Sequence, residues 1–171
     1  MNEGRHSVYP SPQVQACIRA LKAFDFELAY LALLTWGGLK PLSRWEKPLT
    51  EDAPELLARM GLLARGVQRT VRTGKQVTET VFSLLPGYVR LYEQSFAGRP
   101  IDKSAETVRL EGFLFGYPPC CVEQYARQPY APNDLPDESR RILFHWPCPD
   151  CGITPLLLPA YGKVHRIVED A

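Results

Sequence analysis

Apolar residues near the start of the chain recur at the spacing of an amphipathic helix. The segment "VQACIRALKAF" (14–24) predicts a helix with one apolar face. That face carries Val14, Cys17, Ile18, Leu21 and Phe24. The next segment, "FELAYLALLTWGG" (26–38), is apolar on almost every side, which predicts a central core helix that ends at Gly37 and Gly38. Cys17 is accordingly predicted to be a small buried hydrophobe.

Two shorter helices are predicted next. The segment "LSRWEKP" (42–48) has the pattern of a short helix that Pro48 ends. The segment "DAPELLARMG" (52–61) carries Asp52 and Glu55 at the spacing of a capping box, in which two side chains satisfy free N–H groups of the first turn. The sequence therefore predicts a second helix that begins beside Asp52.

Valine and threonine are frequent in the two segments that follow. The segments "GVQRTVRTG" (66–74) and "QVTETVFSLL" (76–85) predict a β-hairpin, and "GYVRLYEQSF" (87–96) predicts a closing helix. The order helix, short helix, helix, hairpin resembles that of a winged helix-turn-helix domain, here over residues 14–98. This resemblance implies that the third helix is offered to the DNA major groove and that the hairpin, the wing, touches the DNA backbone.

The charges of this region give opposite indications about nucleic acid. In favour of a DNA or RNA partner, the wing region carries four cations, Arg65, Arg69, Arg72 and Lys75. Against it, the predicted recognition helix begins with three carboxylates, at Glu51, Asp52 and Glu55, which have the wrong sign for phosphate. Residues 1–100 contain 13 Lys and Arg against 9 Asp and Glu, a mild excess. The alternative is a solvated hairpin on a domain that binds protein or supports its neighbour.

The composition changes near "AGRPID" (97–102), where Gly and Pro together predict a linker. The second predicted domain covers residues 102–171. Nine of the sixteen prolines lie between Pro118 and Pro159, so we expect this domain not to consist mainly of long helices. A small unit with so many prolines buries little apolar surface, and a bound metal is expected to stabilise it.

Four of the five cysteines lie in two close pairs. In "CPDCG" (148–152), the two-residue spacing lets the sulfurs of Cys148 and Cys151 face one metal ion. Pro149 helps to preset the turn, and Gly152 is expected to allow backbone N–H groups to point at sulfur. The segment resembles the metal knuckles of rubredoxins and zinc ribbons. One knuckle supplies two ligands, and a structural zinc site needs four.

The other two ligands are expected from "GYPPCCVEQYAR" (116–127). A helix is predicted over 119–127, with Cys120 and Cys121 in its first turn, where free N–H groups and the helix dipole lower thiol pKa values. Adjacent helical residues point about 100° apart, so one ion does not easily take both sulfurs. Either the pair precedes the regular helix, or one cysteine is packed, or the site is larger than one atom.

Two kinds of metal site therefore remain open. In the zinc model, Zn²⁺ binds Cys148, Cys151 and at least one of Cys120 and Cys121. The fourth ligand is then the other cysteine or His145, at the end of the predicted helical stretch "DESRRILFH". In the iron–sulfur model all four cysteines hold a cluster, whose several irons accommodate neighbouring sulfurs more readily. The metal-free alternatives are a buried cysteine pair and a thioredoxin-like redox pair, although no βαβ pattern precedes the latter.

The segment "FLFGYPPCCVEQY" also resembles a mainly archaeal family of uncharacterised prokaryotic proteins with a Gly-Tyr-Pro-x-Cys-Cys signature. The matching residues are Gly116, Tyr117, Pro118, Cys120 and Cys121. The resemblance implies that the Gly-Tyr-Pro turn belongs to the site. Four aromatic residues, Tyr117, Tyr125, Tyr130 and Trp146, are candidates to line a ligand pocket there; ordinary packing is the alternative.

The composition is that of an ordinary globular protein, with 45% hydrophobic and 23% charged residues. No apolar run approaches the about 18–20 residues that cross a bilayer. The start of the chain lacks the apolar stretch of a secretory signal, so we expect a cytoplasmic protein without a membrane partner, whose thiols stay reduced.

These observations together predict an α+β protein with a winged-helix-like domain and a small metal-stapled domain. The predicted function is Zn²⁺ binding by a nucleic-acid-associated or regulatory adaptor, with DNA, RNA or protein as partner. The alternative is an iron–sulfur protein with a redox or enzymatic role.

Overall fold

The computed structural model describes residues 9–171. The first eight residues, on which the prediction of no secretory signal partly rests, lie outside this range. In chain order the elements are α1 (Pro12–Phe24), α2 (Phe26–Trp36), β1 (Ser43–Trp45), α3 (Ala53–Arg59), β2 (Leu63–Thr70), β3 (Gln76–Ser83), α4 (Pro86–Phe96), α5 (Ala105–Phe115), α6 (Pro119–Arg127), α7 (Asp137–Arg140) and α8 (Thr154–Asp170). Helices and a three-stranded antiparallel sheet confirm the predicted α+β class. Over residues 9–171, no helix is long and apolar enough to cross a membrane.

The first two helices confirm the predictions made for this region. Asp25 separates them: its backbone N–H closes α1 on the carbonyl of Leu21, and its carboxylate caps α2 by accepting from the N–H groups of Glu27 and Leu28. On the predicted apolar face of α1, Val14, Cys17, Ile18 and Leu21 are buried, whereas Phe24 is 43% exposed. Cys17 has no exposed surface, as predicted for a packed thiol. Helix α2 is buried along most of its length, which puts it in the centre of the core.

A strand replaces the short helix predicted over 42–48. Residues Ser43–Trp45 form β1, in which Ser43 pairs with Phe82 and Trp45 pairs with Thr80 of β3. Cross-strand pairing satisfies the backbone of this short segment and buries the Trp45 side chain, so contacts with distant residues outweigh the local helical pattern. The prediction of a helix at this position is wrong.

The predicted hairpin is confirmed. Strands β2 and β3 pair from Leu63 with Ser83 to Thr70 with Gln76, and the strand order in the sheet is β1-β3-β2. The predicted capping box on α3 is not formed, because Asp52 has a helical backbone and makes no side-chain capping bond. With β1 in place of the short helix, the winged-helix resemblance stays a prediction.

The second half is more helical than its prolines suggest. Helix α8 is 17 residues long and contains Pro159, whereas α5, α6 and α7 have 11, 9 and 4 residues. The half is therefore not mainly long helices, as expected, but it does contain one. Pro159 lies in the second turn, where it costs one backbone bond. Packing offsets that cost, because Tyr161 and Val168 of α8 belong to the same apolar core as α1 and α2. That core includes residues from both sides of the predicted linker at 97–102; the division into two domains stays a prediction.

Candidate metal centre

Four cysteine sulfurs from two distant segments come together beside α6 and α8. The Sγ atoms of Cys120, Cys121, Cys148 and Cys151 all lie within 4.8 Å of one another. The separations include 3.4 Å from Cys121 to Cys151, 3.7 Å from Cys120 to Cys151, and 3.8 Å from Cys121 to Cys148. Four sulfurs at about 2.3 Å from one tetrahedral ion are about 3.8 Å apart. The cluster therefore has the size of a site for a single metal ion.

Helix α6 brings two of these sulfurs to the cluster from neighbouring positions. Its bounds, Pro119–Arg127, match the predicted 119–127, and Cys120 and Cys121 lie in its first turn. Their sulfurs are 4.0 Å apart despite the angle between adjacent helical residues. Because Cα–Cβ bonds in a helix tilt towards its N-terminus, both side chains lean towards the start of α6. Both cysteines thus reach one site, and neither is set aside as a packed residue.

The 148–152 turn supplies the other two sulfurs and several N–H donors. The N–H of Cys148 donates to Sγ of Cys121 at 3.4 Å, and the N–H of Thr154 donates to Sγ of Cys151 at 3.3 Å. The left-handed backbone residue of this turn is Asp150, with φ of 53°, and not Gly152. The N–H···S bonds expected of a metal knuckle are present, but the residue expected to make the turn possible is a different one.

Thr154 is a residue of the site that the sequence did not predict. It begins α8 and has no exposed surface. Its Oγ1 lies 3.2 Å from Sγ of Cys151, 3.6 Å from Sγ of Cys121 and 2.9 Å from Nε2 of His145. The available signal was its position three residues after Cys151, where a helix start turns a hydroxyl back towards the preceding turn.

His145 lies next to the cluster but is not one of its members. Its Nε2 atom bonds Thr154, and the group of ligand atoms that lie together contains only the four cysteines among the described residues. The four sulfurs alone make up a set of four ligand atoms, and a Cys₃His site with His145 stays a prediction. Burial, and then the positive charge of Lys40, lowers the pKa of His145 to about 4, so the imidazole is neutral.

Three thiols of the cluster, those of Cys121, Cys148 and Cys151, have shifted pKa values. Burial raises the pKa of Cys151, but hydrogen bonds from the hydroxyl and N–H of Thr154 and from the N–H of Ile153 outweigh it and bring the value to about 6. Burial raises the pKa of Cys121 to about 11 and also raises that of Cys148. Like charges this close cannot all form without a cation, and a bound metal ion is what deprotonates such a set.

The wing residues proposed from the sequence to bind nucleic acid divide into two groups. Arg65, Arg72 and Lys75 are exposed. Arg69 is only 1% exposed, and its guanidinium donates to Glu79 at 3.2 Å, to the hydroxyl of Tyr92 at 3.2 Å and to the carbonyl of Pro100 at 3.3 Å. The prediction of a phosphate contact at Arg69 needs correction, because its charge is already used inside the protein. For the three exposed residues it stays a prediction.

The aromatic residues proposed as pocket walls lie around one cavity. Tyr117, Tyr125, Tyr130 and Trp146 all line a space of about 340 Å³, together with Cys121 and His145. The cysteine cluster and this cavity therefore share a wall, at Cys121.

The Gly-Tyr-Pro turn has a steric reason for its first residue. Gly116 ends α5 with φ of 70°, and a side chain there would place Cβ 2.5 Å from Cδ of Pro41. Tyr117, the next residue, lines the cavity, and Pro118 leads into α6. The turn thus adjoins the site, while the family resemblance itself stays a prediction that rests on five residues. Comparison with protein-family models, with curated proteins and with solved structures finds no match for this chain.

Proposed function

We propose that this chain is a zinc-binding protein in which Cys120, Cys121, Cys148 and Cys151 hold one Zn²⁺ ion. The observation that carries the proposal is the spacing of the sulfurs, all within 4.8 Å of one another. Zinc takes four thiolates at tetrahedral positions of this size. An iron–sulfur cluster binds its cysteines through different irons, which spreads the sulfurs farther apart. The spacing therefore favours a single ion.

The proposed role of the ion is structural. Four protein sulfurs leave no coordination position for water or substrate, which is the arrangement of structural zinc sites. The ion would join the start of α6 to the turn that precedes α8, two segments separated by 27 residues between Cys121 and Cys148. A link of this kind contributes folding free energy directly, because the site does not exist in the unfolded chain.

Elemental analysis of protein purified without oxygen tests this proposal. We expect about one zinc per chain and a colourless sample. Replacing any one of the four cysteines with serine should lower the zinc content. Cys17→Ala changes a buried thiol that is not a member of the cluster and should leave the zinc content unchanged. Iron with a visible charge-transfer absorption band would overturn the zinc assignment in favour of an iron–sulfur protein with a redox or enzymatic role.

We further propose that this zinc-binding protein acts as a regulatory or nucleic-acid-associated adaptor. It is supported by the exposed cations Arg65, Arg72 and Lys75 around the hairpin. Duplex DNA and RNA should then bind in a salt-dependent manner, because binding to phosphates releases counterions. Fluorescence anisotropy at several salt concentrations measures this. Unchanged binding in the Arg65→Ala/Arg72→Ala/Lys75→Ala variant would remove the hairpin from the proposal and leave a protein partner as the candidate.

A further inference from the structure

The cavity beside the metal centre has the size and lining of a small-molecule site. Its volume is about 340 Å³, within the range of roughly 300–1,000 Å³ typical of ligand pockets. Six aromatic side chains line it: Phe115, Tyr117, Tyr125, Tyr130, Phe144 and Trp146. Such a lining offers flat apolar surfaces, on which a planar ring stacks.

Tyr130 makes edge-to-face contacts with two of the other rings. Tyr130 stands at 81° to Tyr125 and at 81° to Trp146, with ring centres 5.2 Å and 5.3 Å apart. The indole N–H of Trp146 donates to the carbonyl of Ala131 at 2.7 Å, which fixes its ring. These contacts fix the orientations of the three rings relative to one another.

The backbone of Tyr130 has an energetically unfavourable conformation. Its φ of 59° lies in the left-handed region, which is unfavourable for a residue other than glycine, and 60% of its surface is exposed. Burial of the ring does not account for a tyrosine at such a position. Strained residues that persist at the edge of a pocket are typical of ligand sites.

The inner wall of the cavity carries a hydrogen-bond donor next to an acceptor. Nη1 of Arg44 donates to Oε1 of Glu111 at 2.7 Å in an ion pair, and both residues line the cavity. A carboxylate accepts more than one hydrogen bond, so Glu111 can also accept from a ligand. His145 adds a polar atom without a protein partner, since its Nδ1 is buried and makes no hydrogen bond within the described residues. A planar ligand with a donor and an acceptor on one edge would match this wall.

The chain's own cations disfavour a cationic ligand at the rings. Nζ of Lys40 already lies 4.6 Å from the ring centre of Tyr117 and 5.3 Å from that of Phe144. The guanidinium of Arg140 lies 5.2 Å from the ring centre of Trp146. Arg140 thus occupies the cation–π position at Trp146, and Lys40, while protonated, occupies those at Tyr117 and Phe144. A second cation at these rings would be repelled.

We propose that this cavity binds a purine or pyrimidine base. The base would stack against Tyr130 and Trp146, with its hydrogen-bonding edge at Arg44 and Glu111. A free nucleotide and an unstacked base of a single-stranded nucleic acid present the same ring, and both are possible sources. The binding site does not depend on which metal the four thiols hold.

Isothermal titration calorimetry of the metal-containing protein tests the proposal. The titrants are the four ribonucleoside monophosphates, short single-stranded oligonucleotides, and ribose 5-phosphate as a control without a base. We expect at least one nucleotide or oligonucleotide to bind and ribose 5-phosphate not to bind. Tyr130→Gly should weaken binding by about tenfold or more, because it removes a stacking surface. Glycine also tolerates the left-handed backbone at this position, which offsets the lost contacts with Tyr125 and Trp146. Tyr130→Phe, which keeps the ring, should bind as the wild type does.

The two sources give different results. Tight binding of mononucleotides identifies a free nucleotide, and binding of oligonucleotides alone identifies a base within a single strand. Equal binding by Tyr130→Gly and the wild type, or binding of tetramethylammonium in place of the bases, would overturn the proposal. If the Tyr130→Gly variant does not fold, NMR of the wild type tests the proposal without it. Ring signals of Tyr125, Tyr130 and Trp146 should shift with the bound titrant while those of Trp45 do not, and absence of these shifts would also overturn it.

Discussion

The imidazole of His145 and the hydroxyl of Thr154 are joined by a 2.9 Å hydrogen bond that links the cavity wall to the cysteine cluster. The same hydroxyl lies 3.2 Å from Sγ of Cys151. When that sulfur is a thiolate, the hydroxyl donates to it, so the neutral imidazole donates from Nε2 and keeps Nδ1 as an acceptor. The buried hydroxyl of Thr154 therefore helps to lower the pKa of Cys151 and also sets the tautomer of His145 in the cavity wall.

Thr154→Val should weaken metal binding without removing a ligand. The substitution keeps the shape of the side chain and removes the hydroxyl that bonds Cys151. Loss of such an outer hydrogen bond typically lowers metal affinity by about 10- to 100-fold. Competition with a zinc chelator measures the change. Thr154→Ser keeps the hydroxyl and should bind metal nearly as well as the wild type; equal affinity in all three proteins would show that the hydroxyl has no role at the sulfur.

Gly112→Ala should destabilise the contact between α5 and α6. A Cβ atom at Gly112 would lie 2.4 Å from Cγ2 of Val122, so one helix must move, and overpacking of this kind costs about 1–3 kcal/mol. Urea unfolding measures the loss. Gly87→Ala, which has no atom within 4 Å of the new Cβ, is the matched control and should be neutral or slightly stabilising.

A second substitution checks the cause. In the Gly112→Ala background, Val122→Ala removes the clashing methyl groups and should recover part of the lost stability. If the double variant is simply the sum of two losses, then the close approach of the two helices is not what makes glycine necessary at this position.

Arg69→Ala should lower the free energy of unfolding far more than Arg72→Ala. Arg69 is 1% exposed and pairs with Glu79, which is 3% exposed, while the hydroxyl of Tyr92 also donates to that carboxylate. Removing one member of a buried pair costs up to about 3–5 kcal/mol. Here Glu79 keeps a more distant partner, Arg44 at 3.8 Å, so we expect a loss at the lower end of that range. An exposed arginine costs about 0.5 kcal/mol or less. Similar unfolding midpoints in urea for the two variants would contradict the buried network.

Lys40 should make stability depend on pH above neutrality. Burial, and then the positive charge of Arg44, lowers the pKa of Lys40 to about 7, whereas an unfolded lysine has a pKa of about 10.4. Between these values the unfolded chain holds a proton that the folded protein has released. The free energy of unfolding therefore rises with pH in this window, by up to about 1 kcal/mol for each pH unit, and is independent of this group below it.

Lys40→Met isolates that contribution. Cysteine thiols of the unfolded chain also titrate in this window. The comparison is therefore between the pH slopes of the wild type and the variant, both measured by urea unfolding. We expect a smaller slope in the variant. Equal slopes would mean that Lys40 stays charged when folded, held by its 3.1 Å bond to the carbonyl of Phe115 and by the surrounding rings.

Much of the candidate site followed from local features of the chain. The bounds of α6 were predictable because Pro118 and Pro119 restrict the backbone and the cysteines follow directly. Cys17 could be assigned to the core from its place on an apolar helical face, and the hairpin from two Val- and Thr-rich segments around a turn. Each of these features depends on residues within about one helical turn or one strand, so the sequence alone determines it.

The sequence by itself thus determined the α+β class, helices α1 to α4 and α6, the hairpin and the four thiols of the site. Only the tertiary structure decided that both sulfurs of the Cys120–Cys121 pair reach the cluster and that Thr154, not His145, contacts them. It also decided that Arg69 is buried and that Pro159 stays inside a helix. The physical reason is the same in each case. Burial and hydrogen-bond partners are supplied by segments far away in the chain, and their free energies exceed the local preferences that a sequence pattern expresses.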